Sequence, residues 1–246
     1  MSLSANERVS TTTEALLSVE GISAGYGGAM VINGVSLAVR PGEIVTILGK
    51  NGMGKTTLMK TIMGFMRAQS GRITLGSDDV TRRAPHAMAR AGVAYAPQEF
   101  TIFQDLTVEE NLRVGVSNDQ IFADRVDSLK HVFPRMLERL KQRAGTLSGG
   151  EQKMLIMSRA VLARPKLMLV DEISEGLQPT MIERMAEVLH TTRQLHGTAV
   201  LLVEQHLSFA LSVADRFAVL KLGQIVESGP AGDPNAAATL GDHLKV

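Results

Sequence analysis

The chain contains no cysteine. That excludes disulfides, thiolate nucleophiles and zinc–thiolate sites, and it suits a reducing compartment. It also lacks a surplus of either charge, with 26 Lys+Arg against 25 Asp+Glu. Broad nucleic-acid binding needs a basic excess, so no nucleic-acid partner is expected. No apolar run approaches the ~18 residues that a helix needs to cross a bilayer. Residues 1–14 are rich in Ser and Thr and lack a basic start followed by an apolar stretch. They do not read as a secretory signal; they read as a disordered tail. Internal repeats are absent as well. What remains is 246 residues, 44% hydrophobic and 21% charged, enough to bury a sizeable core in one α/β domain.

The most informative stretch is Gly49–Thr57, GKNGMGKTT. An apolar run, Glu43–Leu48, precedes it as a strand, and the apolar-periodic segment Lys55–Phe65 follows as a helix. Strand, glycine-rich loop and helix form the setting of a phosphate-binding loop, and Gly49, Gly54, Lys55 and Thr56 fit G-x-x-x-x-G-K-[ST] in full. Gly52 and Gly54 let backbone N–H groups turn toward phosphate oxygens. The helix start adds unpaired donors and partial positive charge. Lys55 supplies a mobile cation for the terminal phosphates, and the Thr56 hydroxyl is placed to ligate Mg²⁺. Gly49, Asn51, Gly52, Gly54, Lys55, Thr56 and Thr57 are therefore the expected contacts to a nucleotide, with ATP and Mg²⁺ as ligands.

A second motif lies at Lys166–Glu172, KLMLVDE. Four apolar residues read as a strand buried on both faces and run into two carboxylates at its C-terminal end, where open parallel sheets bind ligands. Asp171 is expected to hold Mg²⁺, through water, and Glu172 to orient or deprotonate an attacking water. Further strands are expected at Leu16–Ile22, Val35–Val39, Gly71–Leu75, Gly92–Ala96 and Thr198–Val203, with a hairpin around Gly223. Gly25–Gly28 reads as a loop. Helices are expected at Pro85–Arg90, across Asp119–Met136, from Ser148 to Ala163, after Pro179 as far as Gly197, and at Leu207–Val213. The fold class is α/β: a phosphate-loop NTPase core with a mainly parallel, helix-covered sheet, an N-terminal antiparallel β layer and a helical subdomain. The expected core covers residues 15–98 and 160–246, and the helical insertion about 99–159.

Leu147–Gln152 reads LSGGEQ. Ser148 and Glu151 make a capping box at a helix start. With the phosphate loop, this stretch resembles the signature motif of ATP-binding cassette transporter subunits. The resemblance covers roughly Leu16 to Gly229. It implies that Ser148, Gly149 and Gly150 touch the γ-phosphate of ATP held by a second ATPase subunit, the helix's positive end facing the anion. It also implies that Tyr26 stacks on adenine. Gln98 is implied as a hinge glutamine that senses Mg²⁺ and the γ-phosphate, and His206 as the switch histidine that contacts that phosphate. Lys55, Gln98, Glu172 and His206 thus form the implied catalytic set, and Thr56, Gln98 and Asp171 the metal set.

Two positions depart from the family pattern. Ile173 stands where proline usually follows the glutamate, and Gln178 where an aspartate usually couples the two sites of a dimer. Within the family, Asn51–Gly54, Gln142–Gln152 and Ser174–Leu177 are similar to the second ATPase subunit of branched-chain amino acid importers. The Pro97–Glu99 and Ile102–Phe103 patterns are shared with the ATPase of lipopolysaccharide export. The resemblance implies ATP hydrolysis coupled to transport, with transmembrane permease subunits and a second ATPase subunit as partners. It implies a peripheral place on the cytoplasmic face of the inner membrane, with membrane contact only through the permease. Phe100, Ile102 and Phe103 are candidates for that contact. The rival readings are the ATPase subunit of a lipopolysaccharide-type exporter and a soluble cassette ATPase of cluster assembly.

Overall fold

The computed structural model describes residues 14–98, 102–237 and 240–241. The expected tail before Glu14, and Glu99 and Phe100 of the insertion, lie outside the described residues.

Residue alternation builds the first layer. Leu17, Val19, Ile22 and Ala24 are buried along β1 (Leu17–Tyr26). This strand pairs antiparallel with β2 (Ala29–Val39) on one side and β4 (Ser70–Leu75) on the other, and β5 (Asp78–Asp79) completes the order β2-β1-β4-β5. The N-terminal antiparallel layer is as expected, but its strands are longer. Gly25 and Tyr26 finish β1 instead of lying in a loop, and β2 starts at Ala29 rather than Val35. Gly27 and Gly28 alone make the turn, with φ of 55° and 89°, the backbone of a two-residue hairpin.

The second sheet holds β3 (Ile44–Leu48), β6 (Val93–Ala96), β7 (Leu167–Asp171), β8 (Ala199–Glu204), β9 (Arg216–Lys221) and β10 (Gln224–Pro230). Its order is β10-β9-β3-β8-β7-β6. All pairs are parallel except β9 with β10. Every residue of β3, β7 and β8 is buried, as a sheet covered on both faces requires. Successive side chains take opposite faces. Val45, Ile47, Leu169 and Leu201 pack with Leu58 and Ile62 of α1 (Lys55–Met63) and with Val19 and Ile32 of the first sheet. Ile44, Val170 and Leu202 instead pack with α6 (Gly149–Leu162) and α7 (Pro179–His196), through residues such as Leu155, Val188 and Leu189.

Helix α2 (Pro85–Arg90) leads into β6. Between β6 and β7 the described residues form helices and no strand: α3 (Val108–Arg113), α4 (Asp119–Val126), α5 (Pro134–Glu138) and then α6. The helical stretch expected over Asp119–Met136 is divided into short pieces. A 3₁₀ turn covers Asp127–His131, and Phe133, before Pro134, has φ −138°, because proline disfavours the helical conformation in the residue ahead of it. α8 (Leu207–Val213) follows β8. No described helix is long and apolar enough to cross a membrane. The topology brings the C-terminal ends of β3, β7 and β8 side by side, and the functional side chains collect there.

Candidate functional site

β3 delivers the chain to Gly49. A Cβ there would lie 2.6 Å from the Leu220 carbonyl oxygen of β9, so only glycine lets the loop leave the sheet at this point. Gly54 has φ 101°, and a Cβ would meet Ile32 Cγ2 at 2.8 Å. Both constraints fix the path that carries the loop over the start of α1. Met53 ties the loop to the β9–β10 turn, its carbonyl accepting from Gly223 N–H at 3.2 Å. Among the described residues, no backbone acceptor meets the N–H groups of Gly52, Gly54, Lys55, Thr56 or Thr57. These donors line a cleft of about 270 Å³ with Asn51, Gln98 and Glu172. A row of free amides at a helix start fits a polyphosphate.

Lys55 is buried. Its ammonium donates to the carbonyls of Gly49 (2.6 Å) and Lys50 (2.9 Å) and lies 2.8 Å from Glu172 Oε1. Glu172 sits just past β7 with φ 47°, a left-handed conformation that non-glycine residues adopt rarely and at a cost. The backbone twist aims its carboxylate at the phosphate loop, and its own N–H is secured to the Val203 carbonyl at 3.0 Å. Gln98 Nε2 donates to Glu172 Oε2 and to Glu175 Oε2, both at 2.8 Å. Lys55, Gln98 and Glu172, three members of the implied catalytic set, are therefore in direct contact.

Asp171, the last residue of β7, has no solvent exposure. Thr56 Oγ1 donates to its Oδ1 at 3.3 Å and the Tyr95 hydroxyl to its Oδ2 at 3.0 Å. Burial pushes the carboxyl up to about 6, against those two hydrogen bonds. No group of three or more acidic, His or Cys side chains able to hold a metal occurs among the described residues. A hydroxyl and one carboxylate suit Mg²⁺, which keeps waters and takes its other ligands from substrate phosphates. The oxygen donors present thus fit that ion.

A neighbouring cleft of about 460 Å³ is lined by Asn51, Glu172, Ser174, Glu204 and His206 among others. His206 is exposed at the start of α8, so it shares a cleft with Glu172 and Asn51 but does not line the one holding Lys55. Glu204, at the end of β8, is buried and accepts from Ser174 N–H (3.0 Å), Ser174 Oγ (2.8 Å) and Gln205 N–H (3.3 Å). Burial raises its pKa above the usual range against those bonds.

Other expected contacts lie apart. Ser148 caps α6, with Gly149 and Gly150 opening the helix. Its backbone N–H and hydroxyl each donate to Glu151 Oε2 at 2.9 Å, and its oxygen accepts from Glu151 N–H at 3.4 Å. The capping box is therefore formed. These three residues line neither cleft. Tyr26 stands at the β1–β2 hairpin, 53% exposed, also outside both clefts.

Sequence reasoning passed over two side chains. Lys153 is buried on α6, and its ammonium donates to the carbonyls of Glu172 (3.3 Å), Ile173 (3.4 Å) and Glu175 (2.5 Å). It ties the signature helix to the turn that carries Glu172. Its only sequence signal was a charge directly ahead of the apolar run Met154–Met157. Tyr95 lies within Gly92–Ala96, which reads only as a strand.

A buried lysine in a glycine loop, open helix-start amides and strand-end carboxylates beside them define a nucleotide-hydrolysing phosphate-loop protein. Residues 32–175 match the family model described as ABC transporter. The chain belongs to that family, and is an ATP-binding, ATP-hydrolysing subunit of the kind that powers transport. It is 41% identical over 213 residues to BraG of Pseudomonas aeruginosa, a high-affinity branched-chain amino acid transport ATP-binding protein, covering 86% of this chain and 91% of that one. The probable branched-chain amino acid transport protein LivF of Archaeoglobus fulgidus is 33% identical over the same shares. LptB of Escherichia coli K12, a lipopolysaccharide export ATP-binding protein, is 34% identical over 87% of this chain and 90% of its own. A solved ATP-binding subunit of an ABC transporter superposes with TM-score 0.79 at 28% identity, covering 92% of this chain and 94% of that one.

Proposed function

We propose that this chain is the ATPase subunit of an importer of branched-chain amino acids or related amides. It works against permease subunits from the cytoplasmic face of the inner membrane and pairs with a second ATPase subunit. The observation that carries this reading is the 41% identity to BraG across 86% of this chain and 91% of that protein. The lower identity to LptB, 34%, keeps an exporter of the lipopolysaccharide type as the second reading.

The chemistry follows from the contacts. Phosphates enter against the free amides of the loop and draw Lys55 from Glu172, leaving that carboxylate to orient the attacking water. Gln98 keeps its bond to Glu172 or gives it up as the terminal phosphate comes and goes. Thr56 and Asp171 would hold Mg²⁺, which when bound would supply positive charge beside the phosphates. Tyr26 faces the adenine, and His206 reaches the terminal phosphate from the neighbouring cleft. Ser148, Gly149 and Gly150 close over the ATP of the other subunit. The helical region after β6, roughly residues 99–159 and including most of α6, carries the motion to the permease, with Ile102 and the half-exposed Phe103 near that contact.

The test is recovery of the tagged chain from solubilised membranes, followed by reconstitution. A permease should co-purify, and vesicles holding the complex should take up leucine, isoleucine or valine only with ATP. A complex that moves lipopolysaccharide instead establishes the second reading. A purely soluble assembly overturns both.

A further inference from the structure

The two oxygens of Asp171 have separate partners. Oδ1 takes the hydrogen bond from Thr56, and Oδ2 takes the one from the Tyr95 hydroxyl at 3.0 Å. β6 and β7 run parallel with Tyr95 opposite Leu169, so the tyrosine reaches along the sheet to the carboxylate two residues further on. Its ring is backed by Phe65, just past α1, with centroids 6.1 Å apart and planes inclined by 46°. Ring and carboxylate are therefore fixed from opposite ends of the same contact.

We propose that Tyr95 is a positioning residue for the metal site: it pins Oδ2 so that Oδ1 faces Thr56 and the Mg²⁺ bound there. This rests on the metal role given above to Asp171. Tyr95 itself touches no reacting atom. A carboxylate with no solvent exposure has few other donors to fix its rotation. Without the hydroxyl, Oδ2 is left unpartnered, and the side chain turns to share Thr56 or the metal's water between both oxygens. Partners of this kind behind a metal ligand commonly contribute 10–100-fold in metal affinity. Because β6 runs directly into Pro97 and Gln98, the same strand sets the metal carboxylate and the glutamine that holds Glu172.

The experiment compares the native full chain with Tyr95→Phe and Asp171→Asn. Binding of a fluorescent, non-hydrolysable ATP analogue is followed during Mg²⁺ titration and again in EDTA. Tyr95→Phe keeps the ring and its packing, so metal-free affinity should match the native chain, which also shows that the variant is folded. The Mg²⁺ concentration at half effect should rise by about 10-fold or more, and further in Asp171→Asn. If Asp171→Asn shifts the Mg²⁺ midpoint and Tyr95→Phe leaves it within about twofold, the positioning role is overturned while the metal reading stands. If neither moves it, both fall. An equal loss with and without Mg²⁺ in Tyr95→Phe also overturns the role, since it marks general damage to the fold.

Discussion

Asp171 and Glu172 are adjacent, yet the fold gives them opposite surroundings. Glu172 is paired at once with a cation, Lys55, whereas among the described residues the hydrogen bonds to Asp171 side-chain oxygens come from neutral hydroxyls. The pair at Glu172 stands where a phosphate must come. Glu172→Gln removes the charge that competes for Lys55, so nucleotide should bind more tightly than in the native chain while turnover falls by about 10²–10⁴-fold. Equilibrium binding and steady-state phosphate release check the two halves separately, and native turnover would rule out the water-orienting role. Asp171 carries the stability cost. Its carboxyl ionises near 3.8 when unfolded and at about 6 when folded. The folded state therefore holds the proton more tightly. The penalty is absent below pH 3.8, grows as pH rises, and is complete once pH passes the folded value. At about 1.4 kcal/mol per pKa unit it reaches roughly 3 kcal/mol near neutrality. Asp171→Asn should accordingly melt higher than the native chain without nucleotide at about pH 7.5, by about 2–4 °C per kcal/mol recovered. The gap should narrow by about half at pH 5, following the same linkage. A native chain as stable as the variant at both pH values would remove the argument.

The start of α7 shows what an unusual residue does to an element. Gln178 occupies the N-cap with an extended backbone, φ −68° and ψ 152°, and makes no side-chain capping bond. Pro179 at the first helical position lacks an N–H, and the Met181 amide already donates to the Gln178 carbonyl at 2.9 Å, which leaves the Thr180 amide as the donor for a capping side chain. Gln178→Asp should bring an acceptor and a negative charge to this positive end, stabilising the chain by about 0.5–1 kcal/mol in denaturant unfolding. If the two sites of the dimer are uncoupled by the glutamine, the same change should make ATP turnover more cooperative. Element-level reading succeeded where one local signal dominates. The glycine loop with its flanking strand and helix, the Ser148–Glu151 cap and the apolar runs of β7 and β8 were each legible. It failed where pairing overrides propensity. The glycine-rich end of β1 and the start of β2 are strands because they bond to each other, and Asp78–Asp79 is one only because β4 lies beside it. The contacts of Tyr95 with Asp171 and of Lys153 with the turn after β7 join residues 76 and about 20 positions apart. No spacing rule reports such pairs; they follow from the strand order.

At the scale of the molecule, the phosphate loop and the Ser148 cap occupy separate places on one chain. The phosphate loop and its carboxylates form one cleft, and the Ser148 cap lines neither cleft of its own chain. The Ser148 hydroxyl is meanwhile spent on Glu151 Oε2. The proposed pairing with a second ATPase subunit, taken as a two-fold pair of this chain, would set each phosphate loop against the other's α6 start, and a two-fold interface repeats that contact on both sides. If that is the working unit, defects in the two halves must complement. Lys55→Ala disables the loop and Ser148→Arg blocks the cap, so each variant alone should lose ATPase activity. In a pair formed from one of each, one site combines two defects and the other none. Random pairing of equal amounts makes half of the dimers mixed, each with one intact site of two, so about a quarter of native turnover should return. Phosphate release from unfolded-and-refolded or co-expressed mixtures measures it directly. A mixture as inactive as its components would mean either that Ser148 serves the ATP of its own chain or that a lone site cannot fire. A Glu172→Gln background separates these, because ATP held in the intact composite site still counts as one nucleotide per mixed dimer when turnover is silent.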